Sequence, residues 1–152
     1  MSEKDEDWML RAIGLAREAE KRGEVPVGAV IIDEKGTILA AASNLTIKNV
    51  DPTAHAEILA LRIASTRVGN YRLNGATVYT TIEPCAMCAG ALVNARVARL
   101  VYGAADERFG AVETHFRICD SPELNHRIEI TSGVLADKCR ALMQDFFKAR
   151  RK

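Results

Sequence analysis

From Trp8 to Arg22 the apolar residues Met9, Ala12, Ile13, Ala16 and Ala19 recur at spacings of three and four, and Gly23 follows. That rhythm predicts a helix with one apolar face and a glycine stop. The pattern then turns continuous and rich in branched residues from Val27 to Ile32, which reads as a buried strand. Asp33-Glu34-Lys35-Gly36 supplies turn chemistry, so Thr37 to Ala42 is expected to return as an antiparallel partner.

Asp51-Pro52 predicts a helix start, with a capping carboxylate and proline at the first helical position. The helix should run to about Arg67 and end near Gly69. Ala76 to Thr81 reads as a strand, Glu83-Pro84 as the start of a helix reaching about Ala95, and Val97 to Tyr102 as the next strand. Strand, helix, strand at this spacing is a βαβ unit, whose strands lie parallel. Gly103 to Asn125 is the least regular stretch and is expected to be mostly loop with a short helix. Ile128 to Ile130 reads as a short strand. In the last helix Leu135, Cys139, Leu142, Met143 and Phe146 form one stripe, widened by Phe147. The expected fold class is α/β: a three-layer α/β/α sandwich around a mixed sheet of about five strands, in one domain spanning residues 1–152.

At 152 residues, 48% hydrophobic and 27% charged, the chain has the composition of a globular protein and enough apolar surface to offset chain entropy. No apolar run reaches the ~20 residues of a membrane helix, so no membrane partner is expected. The acidic start Met1-Ser2-Glu3-Lys4-Asp5-Glu6-Asp7 lacks the apolar core of a secretory signal, and the expected location is cytoplasmic. The net charge is only +1, but Lys148, Arg150, Arg151 and Lys152 crowd the C-terminus. Such a tail can neutralise phosphates, or simply suit the negative end of a helix dipole.

Of the four cysteines, Cys85 and Cys88 form C-x-x-C, while Cys119 and Cys139 stand alone. In a reducing compartment these are metal or catalytic groups before they are disulfides. Two short motifs occupy matching places: His55-Ala56-Glu57 in the first turns of one helix, and Pro84-Cys85-Ala86-Met87-Cys88 opening the next. Both starts fall near strand ends, where open α/β sheets place their ligands. The field of a helix N-terminus favours the thiolate, the form that binds metal.

One imidazole and two thiolates provide three zinc ligands and leave a fourth position for water, the catalytic pattern. Zinc moves the pKa of water from about 15.7 to about 7, roughly 12 kcal/mol toward hydroxide. Glu57 lies two residues past His55. In mid-helix these side chains would diverge by about 200°; at a helix start both reach one centre, so Glu57 is assigned as the proton shuttle. Three readings compete. A structural zinc would recruit Cys119, Cys139, His115 or His126 as fourth ligand. A dithiol redox site matches C-x-x-C after a strand, but gives no role to His55 or Glu57 and has Pro84 ahead of the pair rather than inside it. In the third, His55 is a core histidine and the thiols are inert.

H-x-E followed by P-C-x-x-C is the signature of zinc-dependent nucleobase deaminases, and the chain resembles that superfamily. Within it the chain is similar to bacterial tRNA adenosine deaminases, which convert the wobble adenosine of an anticodon to inosine. The resemblance covers nearly the whole chain, including Val25-Pro26-Val27-Gly28-Ala29-Val30, Asp51 to Glu57, Glu83 to Gly90, and Asn125-His126-Arg127 leading to Phe146-Phe147. It implies a cytidine deaminase-like fold, Zn²⁺ on His55, Cys85 and Cys88, and proton transfer by Glu57. It further implies base contact by Asn44, a backbone amide from Ala56, nucleotide-backbone contact near Asp106, and a homodimer sharing its RNA site.

The tail cations, Arg72, Arg108 and Asp106 are the residues expected to hold an anticodon stem-loop. With one Trp, three Tyr and four Phe, stacking should be modest. Two places differ from the family pattern: Leu45-Thr46 stands where Arg-Pro is common, and Glu113-Thr114 where Gly-Ser or Gly-Thr is usual. An acidic Glu113 beside an RNA path would repel phosphate. The expected reaction is hydrolytic deamination of adenosine at C6. The alternatives are a zinc deaminase of a free base or nucleoside such as guanine or cytosine, and an RNA-binding module with a structural zinc.

Overall fold

The computed structural model describes residues 3–150. Its elements run α1 (Glu3–Lys21), β1 (Gly28–Ile32), β2 (Ile38–Ser43), α2 (Ala56–Val68), β3 (Thr77–Ile82), α3 (Ala86–Asn94), β4 (Arg99–Ala104), β5 (Glu129–Thr131) and α4 (Ala136–Ala149). The strands form one sheet in the order β2-β1-β3-β4-β5. β1 is antiparallel to both neighbours, with Gly28 opposite Ser43 and Ala29 opposite Thr80. β3, β4 and β5 are parallel, with Thr80 opposite Tyr102 and Val101 opposite Thr131.

Helices cover both faces. Ala56, Ala60, Leu61 and Ala64 of α2 and Ala89 and Leu92 of α3 pack with Ala29, Ile31, Val78 and Leu100 on one side. Met9, Ala12 and Ile13 of α1 and Cys139 of α4 pack with Val30, Tyr79 and Val101 on the other. The expected α/β/α sandwich is therefore the observed fold. At Gly28 any Cβ would overlap the Ala12 carbonyl and the Ala16 amide, so α1 lies directly on β1.

Several boundaries differ from the sequence expectation, each for a local reason. α1 begins at Glu3 rather than Trp8: Glu3, Asp5 and Glu6 suit the positive end of the dipole. Asp5 is buried, accepts the Tyr79 hydroxyl at 2.9 Å and pairs with Arg99 at 2.7 Å. α2 begins at Ala56, not Pro52, because the Asp51 carboxylate caps a turn at the Thr53 amide (2.9 Å) and hydroxyl (2.7 Å). α3 begins at Ala86, not Pro84. The Glu83 amide still bonds the Ala104 carbonyl at 2.9 Å, and a residue before proline resists the helical region.

The short helix expected between Gly103 and Asn125 is absent among the described residues, where turns follow β4 instead. Phe147 does not widen the buried stripe of α4: it is 39% exposed, edge-on to Phe146. No described helix is long and apolar enough to cross a membrane. Arg151 and Lys152 of the basic tail lie outside the described residues.

Candidate metal centre and its rim

Because β1 runs against β3, one end of the sheet gathers the C-terminal ends of β2, β3 and β4 with the start of β1. The starts of α2 and α3 sit there too. His55 is the cap of α2 in extended conformation (φ −73°, ψ 150°), and Cys85 is the cap of α3 (φ −74°, ψ 176°). A cap residue lies outside the helical repeat, so its side chain can face one a turn later. Cys88 thereby comes beside Cys85, and Glu57 shares a centre with His55.

The His55 Nδ1 lies 3.6 Å from the Cys85 Sγ and 3.5 Å from the Cys88 Sγ. All three donor atoms fall within 4.8 Å of one another, a group able to hold a metal ion. Tetrahedral zinc bonds of about 2.3 Å to sulfur and 2.0–2.1 Å to nitrogen would set nitrogen and sulfur about 3.6 Å apart. The two nitrogen–sulfur distances thus match the spacing zinc requires.

Taken with no cation between them, the groups share protons unequally. Hydrogen bonds from the Cys88 thiol and from His55 outweigh burial and hold Cys85 down at about 4. The same Cys85 partner, with burial, pushes Cys88 well up, and His55 is raised by its bond to Cys85. Glu57 is 4% exposed, and burial pushes its carboxyl up to about 7. It faces the Cys88 thiol and its own amide.

The fourth-ligand candidates are elsewhere. The buried Cys119 thiol points to the Ala89 carbonyl at 3.9 Å, and Cys139 packs behind Gly103. His115 Nε2 bonds the Glu107 carbonyl at 2.6 Å, and His126 Nε2 the Val97 carbonyl at 2.8 Å. Among the described residues the metal group is three ligands, which disfavours a closed structural site.

Two loops rim the centre. In the first, buried Asn44 follows β2, and the Leu45 amide bonds the Ala54 carbonyl at 3.0 Å, next to His55. Ala56, also buried, opens α2. The second loop follows β4: Asp106 is half-buried and accepts the amides of Arg108 (3.0 Å) and Phe109 (3.2 Å), while the Arg108 side chain is exposed. Ala111 bonds the Pro84 carbonyl at 2.9 Å, which ties this loop to the start of α3. Arg72 does not join them. It follows Gly69, beyond the far end of α2, about 20 Å of helix away.

Three features escaped the sequence reading. Glu24, 1% exposed, accepts the amides of Ile47 (3.1 Å) and Lys48 (2.8 Å) and so holds the first loop. Thr46, one of the two departures, adds its hydroxyl to that carboxylate at 3.4 Å. Glu83 gathers the second loop in the same way. Burial opposes both charges, but the amides outweigh it and keep both carboxyls below the usual range. Phe109 is 66% exposed beside Arg108, and a lone aromatic between a cation and Gly110 was the available signal. Glu113 is not a bare charge on the rim: its carboxylate accepts the Tyr102 hydroxyl and lies 3.8 Å from Arg117.

The C-terminus of α4 comes to the same end of the molecule. The Arg150 guanidinium sits 3.7 Å over the Phe146 ring and borders Gly23, where α1 turns toward β1. A family model described as MafB19-like deaminase matches residues 3–151. The tRNA-specific adenosine deaminase of Haemophilus influenzae is 49% identical over 150 residues, covering 99% of this chain and 87% of that one. A solved structure from a study of A-to-I editing by tRNA:A34 deaminases superposes with a TM-score of 0.85 at 41% identity, covering 90% and 98% of the two chains. The guanine deaminase of Nitrosomonas europaea superposes with a TM-score of 0.77 at 28% identity, covering 93% and 83%.

Proposed function

This chain belongs to the tRNA-specific adenosine deaminase family, and we propose that it hydrolyses the wobble adenosine of a tRNA anticodon to inosine, releasing ammonia. The observation that carries the chemistry is the set of three donors standing at zinc spacing beside a buried carboxyl. His55, Cys85 and Cys88 would hold Zn²⁺, which when bound lowers the pKa of a water at the position the three ligands leave open.

Glu57 does the proton work. Its carboxylate takes one proton from the attacking water and passes it to the adenine ring, then takes the remaining proton from the hydroxyl now on C6 and gives it to the departing amine, so that adenosine and water become inosine and ammonia. Burial pushes this carboxyl upward, which makes it a better proton acceptor than a carboxylate in water. Asn44 and the Ala56 amide would orient the base, and Asp106 and Arg108 would meet the neighbouring nucleotides.

A recessed centre cannot reach a stacked base. The nucleotide must be extruded, and an anticodon loop lowers that cost relative to duplex. Lys148 and Arg150, at the end of α4, would neutralise phosphates of a bound stem. The substrate sets the expected location, the cytoplasm, and residues 1–152 act as one domain. A second copy would complete the enzyme. Between α2 and α3 runs a groove of about 480 Å³ lined by Ile58, Leu61, Tyr71, Ala91 and Ala95, apolar surface suited to a homodimer. Arg72, stacked on Tyr71, belongs with that surface rather than with its own chain's metal group.

The second reading, deamination of a free base, draws on the guanine deaminase neighbour. The proposal is tested by stripping the metal. One zinc per chain, inosine formation lost on chelation and restored by Zn²⁺, is the expected result; activity that survives full removal of zinc would refute it.

A further inference from the structure

At the C-terminal end of β3, Glu83 sits one residue ahead of Pro84 and two ahead of Cys85, yet its side chain turns away to the loop after β4. One carboxylate oxygen accepts the Asp106 amide at 3.1 Å and the Thr114 hydroxyl. The other accepts three successive amides, Val112 at 3.0 Å, Glu113 at 2.8 Å and Thr114 at 3.0 Å. The main chain repeats the connection, since the Glu83 amide bonds Ala104 at 2.9 Å and the Pro84 carbonyl accepts Ala111 at 2.9 Å.

The fit leaves no slack. A Cβ at Gly110 would overlap the Glu83 carboxylate and the Asp106 carbonyl. Asp106 passes the constraint outward by capping the amides of Arg108 and Phe109, whose side chains are exposed. Ala111 and Val112 are buried in the core while Arg108 and Phe109 stand exposed, so the five donors tie an exposed tip to a buried anchor. What they fix is the backbone that presents Arg108 and Phe109 beside the metal group.

We infer that Glu83 is a positioning residue for the RNA: its buried carboxylate holds residues 105–114 in the binding conformation before substrate arrives. A loop ordered in advance does not charge its entropy loss to binding, so the effect belongs in KM and not in the chemical step. This rests on the stem-loop reading above. Phe109 offers a face for an unpaired base next to the extruded one, and Arg108 a partner for its phosphate.

Glu83→Gln keeps the shape but replaces one accepting oxygen with a donor that faces N–H groups. In the zinc-loaded enzyme acting on an anticodon stem-loop, KM should rise about tenfold or more while kcat stays within about threefold. Zinc should remain at one per chain. Hydrogen exchange at the Val112, Glu113 and Thr114 amides should accelerate without any substrate present.

Thr114→Val removes one donor at a distance from Pro84 and Cys85. It should raise KM less, and the double variant should fall short of the product of the two effects. Should Glu83→Gln not fold, Thr114→Val decides alone by the same split. The inference is overturned by an unchanged KM with zinc retained, or by a joint loss of zinc and kcat at constant KM, which would place the role of Glu83 in the metal-bearing helix. If the unaltered enzyme makes no inosine, the stem-loop reading has failed instead, and the exchange rates still report whether Glu83 orders the loop.

Discussion

His55 and Glu57 serve one centre from positions two apart because the first is a cap and the second is inside the helix. Glu57→Gln keeps the side chain's shape and the ligand set but removes the group that carries the proton. It should retain one zinc and lose about 10²- to 10⁴-fold in kcat; full activity would remove Glu57 from the mechanism. The thiols should separate as sharply. Cys85 is held at about 4, whereas burial pushes Cys119 up to about 12 and Cys139 up to about 11. Near pH 7.5, iodoacetamide on zinc-stripped protein should label Cys85 first and leave Cys119 and Cys139 unmodified. Zinc should protect Cys85, and mass spectrometry of the digested protein reads the outcome. At this scale the candidate metal donors His55, Cys85 and Cys88 were legible because few residue types bind metals and their spacing is narrow. Glu24 and Glu83 were not. A lone glutamate ahead of a proline or valine looks like a solvated charge, and the amides that define it lie some 20–30 positions along the chain.

The elements hold the site through close contacts and through these two carboxylates. Gly28→Ala would drive a methyl into the α1 backbone at Ala12 and Ala16, where no flexible side chain can yield. It should cost about 1–3 kcal/mol or more, seen as a lower urea midpoint, with the zinc ligands unchanged. Glu24 gives a dependence on pH. Its folded carboxyl lies below the ordinary value of 4.5, so its ionised form stabilises the fold above that value and the contribution fades as pH falls. Glu24→Gln should therefore be less stable than the parent at pH 7, by about 1–3 kcal/mol, with the difference narrowing below about pH 4.5. A difference that is the same at pH 7 and pH 4 would contradict this. The sequence pattern announced every described helix and strand, through apolar stripes and runs for most and through the Asp51-Pro52 and Glu83-Pro84 starts for α2 and α3, but it also announced a short helix after β4 that is absent among the described residues. It misplaced the starts of α1, α2 and α3 because tertiary partners decide them: Arg99 and Tyr79 for Asp5, Thr53 for Asp51, and the sheet itself for Glu83.

For the whole molecule, the layer order and the shared end of the sheet decide what the metal group can meet. The basic end of α4 was ambiguous as sequence, because charge alone does not say where a tail lies. The contact of Arg150 with Phe146 and Gly23 places it at the end that carries the metal group. Deleting Lys148 to Lys152 should weaken stem-loop binding and lower the salt slope by about one for each phosphate left without its cation, while zinc content is unchanged. An unaltered slope would leave those cations as helix-end charges. The central claim, that this zinc centre acts on an adenosine presented by RNA, is tested most directly by one comparison. Zinc-quantified enzyme is given an anticodon stem-loop with adenosine at the wobble position and, in parallel, free adenosine, guanine and cytosine, with ammonia and inosine measured in each. Inosine from the stem-loop alone is the predicted result, and turnover of a free base with the stem-loop untouched would contradict the account.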